Sequence, residues 1–224
     1  MAFTTFKIAG SKALDALYLR RELFPKTGDY PFLIGDAESL QRINEAAEFY
    51  DQSTAEIIQR SMAVDVDQWL AERREEAAED EFSAEDMLGT WTGDVPEKGS
   101  VNLHRDILTG EIKPEIFLGL ATIKEPWQLP AVLKYGAWNA CPEAEIHCVF
   151  HRKWQTQFGA QIAGLSGDVI ECIVTNPPRD QATAIELAWE QYFYCPDIVE
   201  QGCESISYLA GTLLNSPYWF FWWD

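Results

Sequence analysis

The final stretch, Tyr218-Trp219-Phe220-Phe221-Trp222-Trp223-Asp224, sets six aromatic residues in a row with no polar break. Each of these rings gains by leaving water, and aromatic residues favour strands. A run apolar at every position predicts an internal strand covered on both faces. It is too short to span a bilayer and has no basic flank. Upstream, Ser11 N-caps a short helix predicted over residues 10–24, and Pro31–Asp36 reads as a strand ending in Gly35. Asp36 then caps a helix with Leu40, Ile43, Ala47 and Tyr50 on one face. Further helices are predicted over Thr54–Ser61 and from Asp65 to about Asp80.

Beyond residue 100 the pattern alternates. Val101–Arg105 and Glu115–Ile123 read as a hairpin, and Pro142 at the first helical position opens a helix that stops at Gly159. Ala160–Leu165 and Val169–Thr175 flank the turn Ser166-Gly167-Asp168 as a second hairpin. Helices over Asp180–Tyr194 and Glu204–Leu214 precede the aromatic strand. This order predicts an α+β fold of mixed α/β layers: a central sheet that includes the C-terminal aromatic strand, with helices packed on both faces. Three regions follow: residues 1–80, helical with a strand; residues 81–100, an acidic flexible linker or loop marked by Gly89, Gly93, Pro96 and Gly99; and a main domain over 101–224.

Composition narrows the function classes. A formal charge of −19 argues against nucleic acid and anionic membranes as partners, because both require a basic surface. Five cysteines without a CxxC pair speak against a zinc knuckle or a thioredoxin-type motif, and suit a reducing cytoplasm. The first seven residues lack the basic-then-apolar pattern of a signal peptide, which also predicts a cytoplasmic protein. No G-x-G-x-x-G, Walker A, G-x-S-x-G or EF-hand pattern occurs, so no cofactor or metal is expected.

Four segments carry a resemblance when taken together in order: Gly136-Ala137-Trp138-Asn139-Ala140-Cys141-Pro142, Gly164-Leu165-Ser166-Gly167-Asp168, Gln191-Tyr192-Phe193-Tyr194-Cys195-Pro196-Asp197-Ile198-Val199, and Tyr218–Asp224. The chain resembles the bacterial family catalogued as domain of unknown function 4253, most closely over residues 127–224. That resemblance implies the fold boundaries and a bacterial cytoplasmic origin. It transfers no catalytic residue.

The candidate chemistry rests on polar residues set in apolar or turn motifs. Asn139, Asp168 and Asp197, with Cys195, are the catalytic candidates; Trp138, Asn139, Asp168, Asp197 and Asp224 are the binding candidates. Each also has a structural reading: Asp168 bonding its own turn, Asn139 capping the helix after Pro142, Asp197 capping a turn. Asp224, at the end of a strand taken as internal, is expected to need compensation from Arg152, Lys153, Arg179, a helix N-terminus or a metal. His147 and His151 have the spacing for joint metal binding but lack a HExxH glutamate. A Cys–His nucleophile built from Cys141 or Cys195 with His147 is a further alternative, the helix dipole lowering the Cys141 pKa. The reading adopted is a non-catalytic acidic binding module, immunity- or inhibitor-like, directed at a basic protein partner. Its acidic tract, Glu72, Glu75, Glu76, Glu79, Asp80 and Glu81, supplies steering and rim contacts. The alternative is a hydrolase or metal-assisted hydrolase with a carboxylate-rich cleft. A third is a domain that homodimerises through exposed aromatics, and the residues leave the oligomeric state open.

Overall fold

The architecture was obtained as a computed structural model that describes residues 3–79, 83–91, 93–95 and 98–224. The strands are β1 (Phe3–Ala9), β2 (Asp29–Gly35), β3 (Glu115–Thr122), β4 (Ala160–Leu165), β5 (Val169–Val174) and β6 (Tyr218–Trp222). They form one six-stranded sheet in the order β1-β3-β2-β4-β5-β6. All neighbours are antiparallel except β2 and β4, which join in parallel at Leu33 and Gly164. The chain is therefore an α+β protein with a mixed sheet, and its first two strands flank β3 within that sheet.

Helices cover both faces. On one, α1 (Ala13–Thr27) sets Ala13 and Leu17 against Leu33, Ile116, Leu118 and Ala163. On the other lie α2 (Ala37–Glu48), α4 (Val66–Glu79), α6 (Leu129–Leu133), α7 (Ala144–Phe158), α8 (Gln181–Tyr194) and α9 (Ile206–Leu213), sharing the main core. The remaining helices are α3 (Thr54–Ser61), whose Ile57 packs on Ala131 and Cys148, and the short α5 (Ala84–Leu88). Among the described residues no helix is long and apolar enough to cross a membrane.

Local chemistry accounts for these elements. Asp36 caps α2 by accepting from the Ser39 N–H, Ser53 and Glu56 form a capping box on α3, and Asp180 caps α8. Gly159 ends α7 in the left-handed conformation at φ 62°. The parallel join is reinforced from the side: Arg21 Nη1 donates to the Tyr30 hydroxyl at 2.9 Å, and that hydroxyl donates to the Ile162 carbonyl at 2.5 Å.

Several expectations change. The aromatic strand lies at the sheet edge, because among the described residues β6 pairs only with β5. Trp219 and Phe221 are buried beneath α7 and α8, whereas Phe220 is 47% exposed on the opposite face. On that opposite face Tyr218 packs partly against the α1 cluster and Trp222 is half-buried, so Phe220 is the ring left largely in solvent. Residues 101–105 make no hairpin with β3, since β3 is claimed on both sides by β1 and β2; Arg105 bridges Ile112 instead. Ser11 makes no capping bond: residues Gly10–Lys12 form a 3-10 turn, and α1 begins at Ala13. A π-helical turn, Ile198–Cys203, occupies a stretch without predicted structure. Within the expected linker, the described stretches are anchored to α9: Val95 N–H donates to the Gly211 carbonyl at 3.1 Å, and Ser207 Oγ to the Gly89 carbonyl at 3.3 Å.

The alternation in β6 makes a direct prediction. Phe221→Ala, which removes a fully buried ring stacked on Trp154 at 5.3 Å, should destabilise the protein by about 3–5 kcal/mol in urea unfolding. Phe220→Ala on the wet face should cost less than about 1 kcal/mol.

Candidate functional site

The predicted candidates meet at the tail that follows β6. Asn139 Nδ2 donates to the Asp224 carbonyl at 2.6 Å, and Asp224 N–H donates to Asp197 Oδ2 at 2.9 Å. Cys195 Sγ donates to the Trp222 carbonyl at 3.0 Å, and the Trp223 N–H reaches the Asp168 carbonyl at 3.1 Å. Asp197 is held in turn by Gln201, 2.8 Å away on the π-helical turn. The side chains of Asn139, Asp197 and Cys195 therefore converge on main-chain atoms of residues 222–224, whereas Asp168 meets them through its main-chain carbonyl and turns its carboxylate to Arg42 and Ser166. Asn139 does not cap α7, which begins at Ala144 with Glu143 as N-cap. The cations proposed to balance Asp224 are engaged elsewhere: Lys153 with Glu190, Arg179 with Asn215, and Arg152 over the Trp127 ring. The Asp224 side chain is exposed and has water to solvate it.

Beneath this clamp runs a buried polar chain. Cys141 Sγ lies 3.4 Å from His147 Nε2, and His147 Nδ1 lies 2.5 Å from the Tyr194 hydroxyl. That hydroxyl is 3.2 Å from His151 Nε2, and His151 Nδ1 is 3.9 Å from Cys172 Sγ. The helical spacing of His147 and His151 thus aims both imidazoles at one phenol. Among the described residues no group of three or more His, Cys, Asp or Glu is placed to hold a metal ion. Burial pushes the Cys141 and Cys195 thiols up, so neither is a resting thiolate, contrary to the expected dipole effect on Cys141. Burial likewise holds His151 down at about 3 and, with the neighbouring His151, holds His147 well below the usual range.

The loop above this chain is conformationally demanding. Ala137 (φ 68°) and Asn139 (φ 47°) are left-handed without being glycine. At Gly136 (φ 108°) a Cβ would meet the Pro142 carbonyl at 1.9 Å and His147 Nε2 at 2.9 Å, so glycine is required where the loop crosses the buried pair. With α2 and the Gly167 turn this loop borders an open cleft of about 500 Å³, lined among others by Arg42, Glu45, Phe49, Tyr50 and Trp138. Arg42 Nη1 pairs with Asp168 Oδ2 at 2.8 Å at its edge. Trp138 is half-buried in the cleft wall, edge-on to Tyr135 at 5.0 Å.

On the opposite face of the sheet, Glu171 is 2% exposed, and its carboxylate accepts the Asn102 and Leu103 N–H groups at 2.7 and 3.2 Å. Burial raises it to about 7 against the pull of those two donors. In the acidic tract, Glu72, Glu75 and Glu76 are exposed on α4, and Glu79 closes that helix. Asp80 and Glu81 lie outside the described residues.

Arg42, Phe49, Tyr194, Cys172 and Glu171 were absent from the sequence-derived set. Only Glu171 carried an independent signal, as one acid in the apolar strand Val169–Val174. The others become informative only through partners more than twenty residues distant or a cleft shared with distant loops.

These features define the class: an α+β protein whose second half builds a strained loop and a tail clamp, and which forms a cleft between that loop and α2. Residues 117–224 match the family described as "Domain of unknown function (DUF4253)", a span that contains all four resembling segments. No curated protein and no solved structure matches the chain.

Two measurements check this description. Tyr194→Phe removes the partner of both imidazoles while keeping the ring, and should cost about 2–4 kcal/mol in urea unfolding. The pH dependence follows from opposed titrations. Both histidines are neutral in the fold and protonate near 6.5 when unfolded, so their stabilisation is complete above pH 6.5 and is lost as pH falls below it, for His151 down to about 3. Glu171 keeps a proton in the fold from 4.5 up to about 7, so its contribution is complete below 4.5 and is lost as pH rises to 7. Glu171→Gln should therefore steepen the rise of stability between pH 5 and 6.5 by roughly one proton, about 1.4 kcal/mol per pH unit.

Proposed function

We propose that this is a bacterial cytoplasmic protein that acts without catalysis, by binding a basic protein partner, in the manner of an immunity protein or inhibitor. The observation that carries the reading is the occupation of the side chains a catalyst would use. Asn139, Asp197 and Cys195 hold main-chain atoms of residues 222–224, and Asp168 is paired with Arg42. The net charge of −19 then supplies long-range attraction, with Glu72, Glu75 and Glu76 exposed on α4 to steer a cationic surface. One observation favours the alternative hydrolase, namely the 3.4 Å contact of Cys141 with His147. A neutral thiol beside a neutral imidazole at 3% and 0% exposure weighs against it.

The test is native co-purification from source-cell lysate with wild-type protein and with the triple variant Glu72→Lys/Glu75→Lys/Glu76→Lys, after confirming equal melting temperatures. Wild type should retain a basic protein at low salt and release it at moderate salt, and the variant should retain it at least tenfold less. A partner held equally by both proteins, or no partner at all, would overturn the reading.

A further inference from the structure

We propose that the cleft between α2 and the 136–138 loop is a receptor for one cationic side chain, arginine or lysine, presented by the partner. The proposal rests on the binding reading above and assigns it a particular site. The cleft holds about 500 Å³, ample for a guanidinium or ammonium group on its alkyl stem. Phe49, Tyr50 and Trp138 offer it aromatic surface, and Glu45 contributes a carboxylate. A cation over an aromatic face is attracted by the ring quadrupole. The molecule uses the same contact internally, with Arg152 over Trp127 at 5.6 Å and Arg73 over Trp69 at 5.4 Å.

Phe49 is the informative residue. It follows α2 directly and is 87% exposed at the rim of the cleft, so its ring is open to a group arriving from solvent. The charges around it favour a cation. Glu45 lies in the lining, and Glu48 and Asp51, which flank Phe49 and Tyr50 in the chain, are exposed. Of the cations nearby, Arg42, itself in the lining, is neutralised by Asp168, and Lys134 Nζ, which donates to the Tyr50 carbonyl at 2.7 Å, keeps its charge against these three carboxylates. The opposite wall is preorganised, because the left-handed Ala137 and Asn139 and the Asn139–Asp224 bond hold Trp138 between them.

The test measures fluorescence anisotropy of a labelled octa-arginine peptide titrated with the full-length protein at low and moderate salt. Purely diffuse attraction to an acidic protein depends on charge alone, so the decisive variants leave charge unchanged. Phe49→Leu keeps an apolar side chain but removes the π face and should weaken binding about fivefold; Phe49→Trp should bind at least as tightly as wild type. Equal binding by wild type and Phe49→Leu, or no measurable peptide binding, would overturn the cleft as the site. If binding ignores Phe49 yet collapses in the Glu72/Glu75/Glu76 reversal, the cleft is wrong while acidic recognition stands. Phe49-dependent peptide binding without any lysate partner would keep the cation site and discard the proposed physiological role.

Discussion

The fold turns on the burial of one hydroxyl in an aromatic core. Tyr194 lies fully enclosed among Trp154, Phe221 and Trp223, at ring separations of 5.0 to 5.4 Å. An unpartnered phenol there would cost several kcal/mol, so α7 must be placed with His147 and His151 facing it. Each imidazole then needs a partner for its second nitrogen, which Cys141 and Cys172 provide. A single buried oxygen thereby ties α8, α7, β5 and the loop before α7 into one arrangement.

The outer structures depend on that arrangement. The loop over the Cys141–His147 pair must pass close to the His147 ring, which demands Gly136 and leaves Ala137 and Asn139 in left-handed conformations. Asn139 is then directed at Asp224, and the same tail is held by Asp197 from the far side. Clamping the tail keeps Trp223 over His147 at a ring separation of 5.3 Å. The polar residues of the four sequence motifs are thus joined by a common structural requirement, and the cleft wall carrying Trp138 is its outward expression.

Electrostatics separates the interior from the surface. Inside, burial keeps thiols, imidazoles and Glu171 neutral near pH 6. Outside, the −19 charge stands in water, where opposite charges at a partner's surface are the natural complement. Reactive chemistry from the buried chain requires exposure of groups that the fold works to enclose, whereas recognition at the surface requires no rearrangement.

Much of the fold was legible along the chain because it depends on local interactions. Asp36, Ser53, Asp180 and Gly159 bound their helices through contacts within four residues, and the β4–β5 hairpin is closed by Ser166–Asp168. The polar residues standing in apolar motifs were equally visible, because a polar group in such a setting needs a partner wherever it falls. Their partners were not visible. Asn139 and Asp224 are 85 residues apart, and Arg42 and Asp168 are 126 apart, so only the folded chain decides that they meet. The aromatic run shows the same division. Composition required it to be buried, but its place at the sheet edge was decided by β3 settling between β1 and β2 and by the parallel join of β2 to β4. Strand order is a competition among distant pairings, and no local pattern carries its outcome.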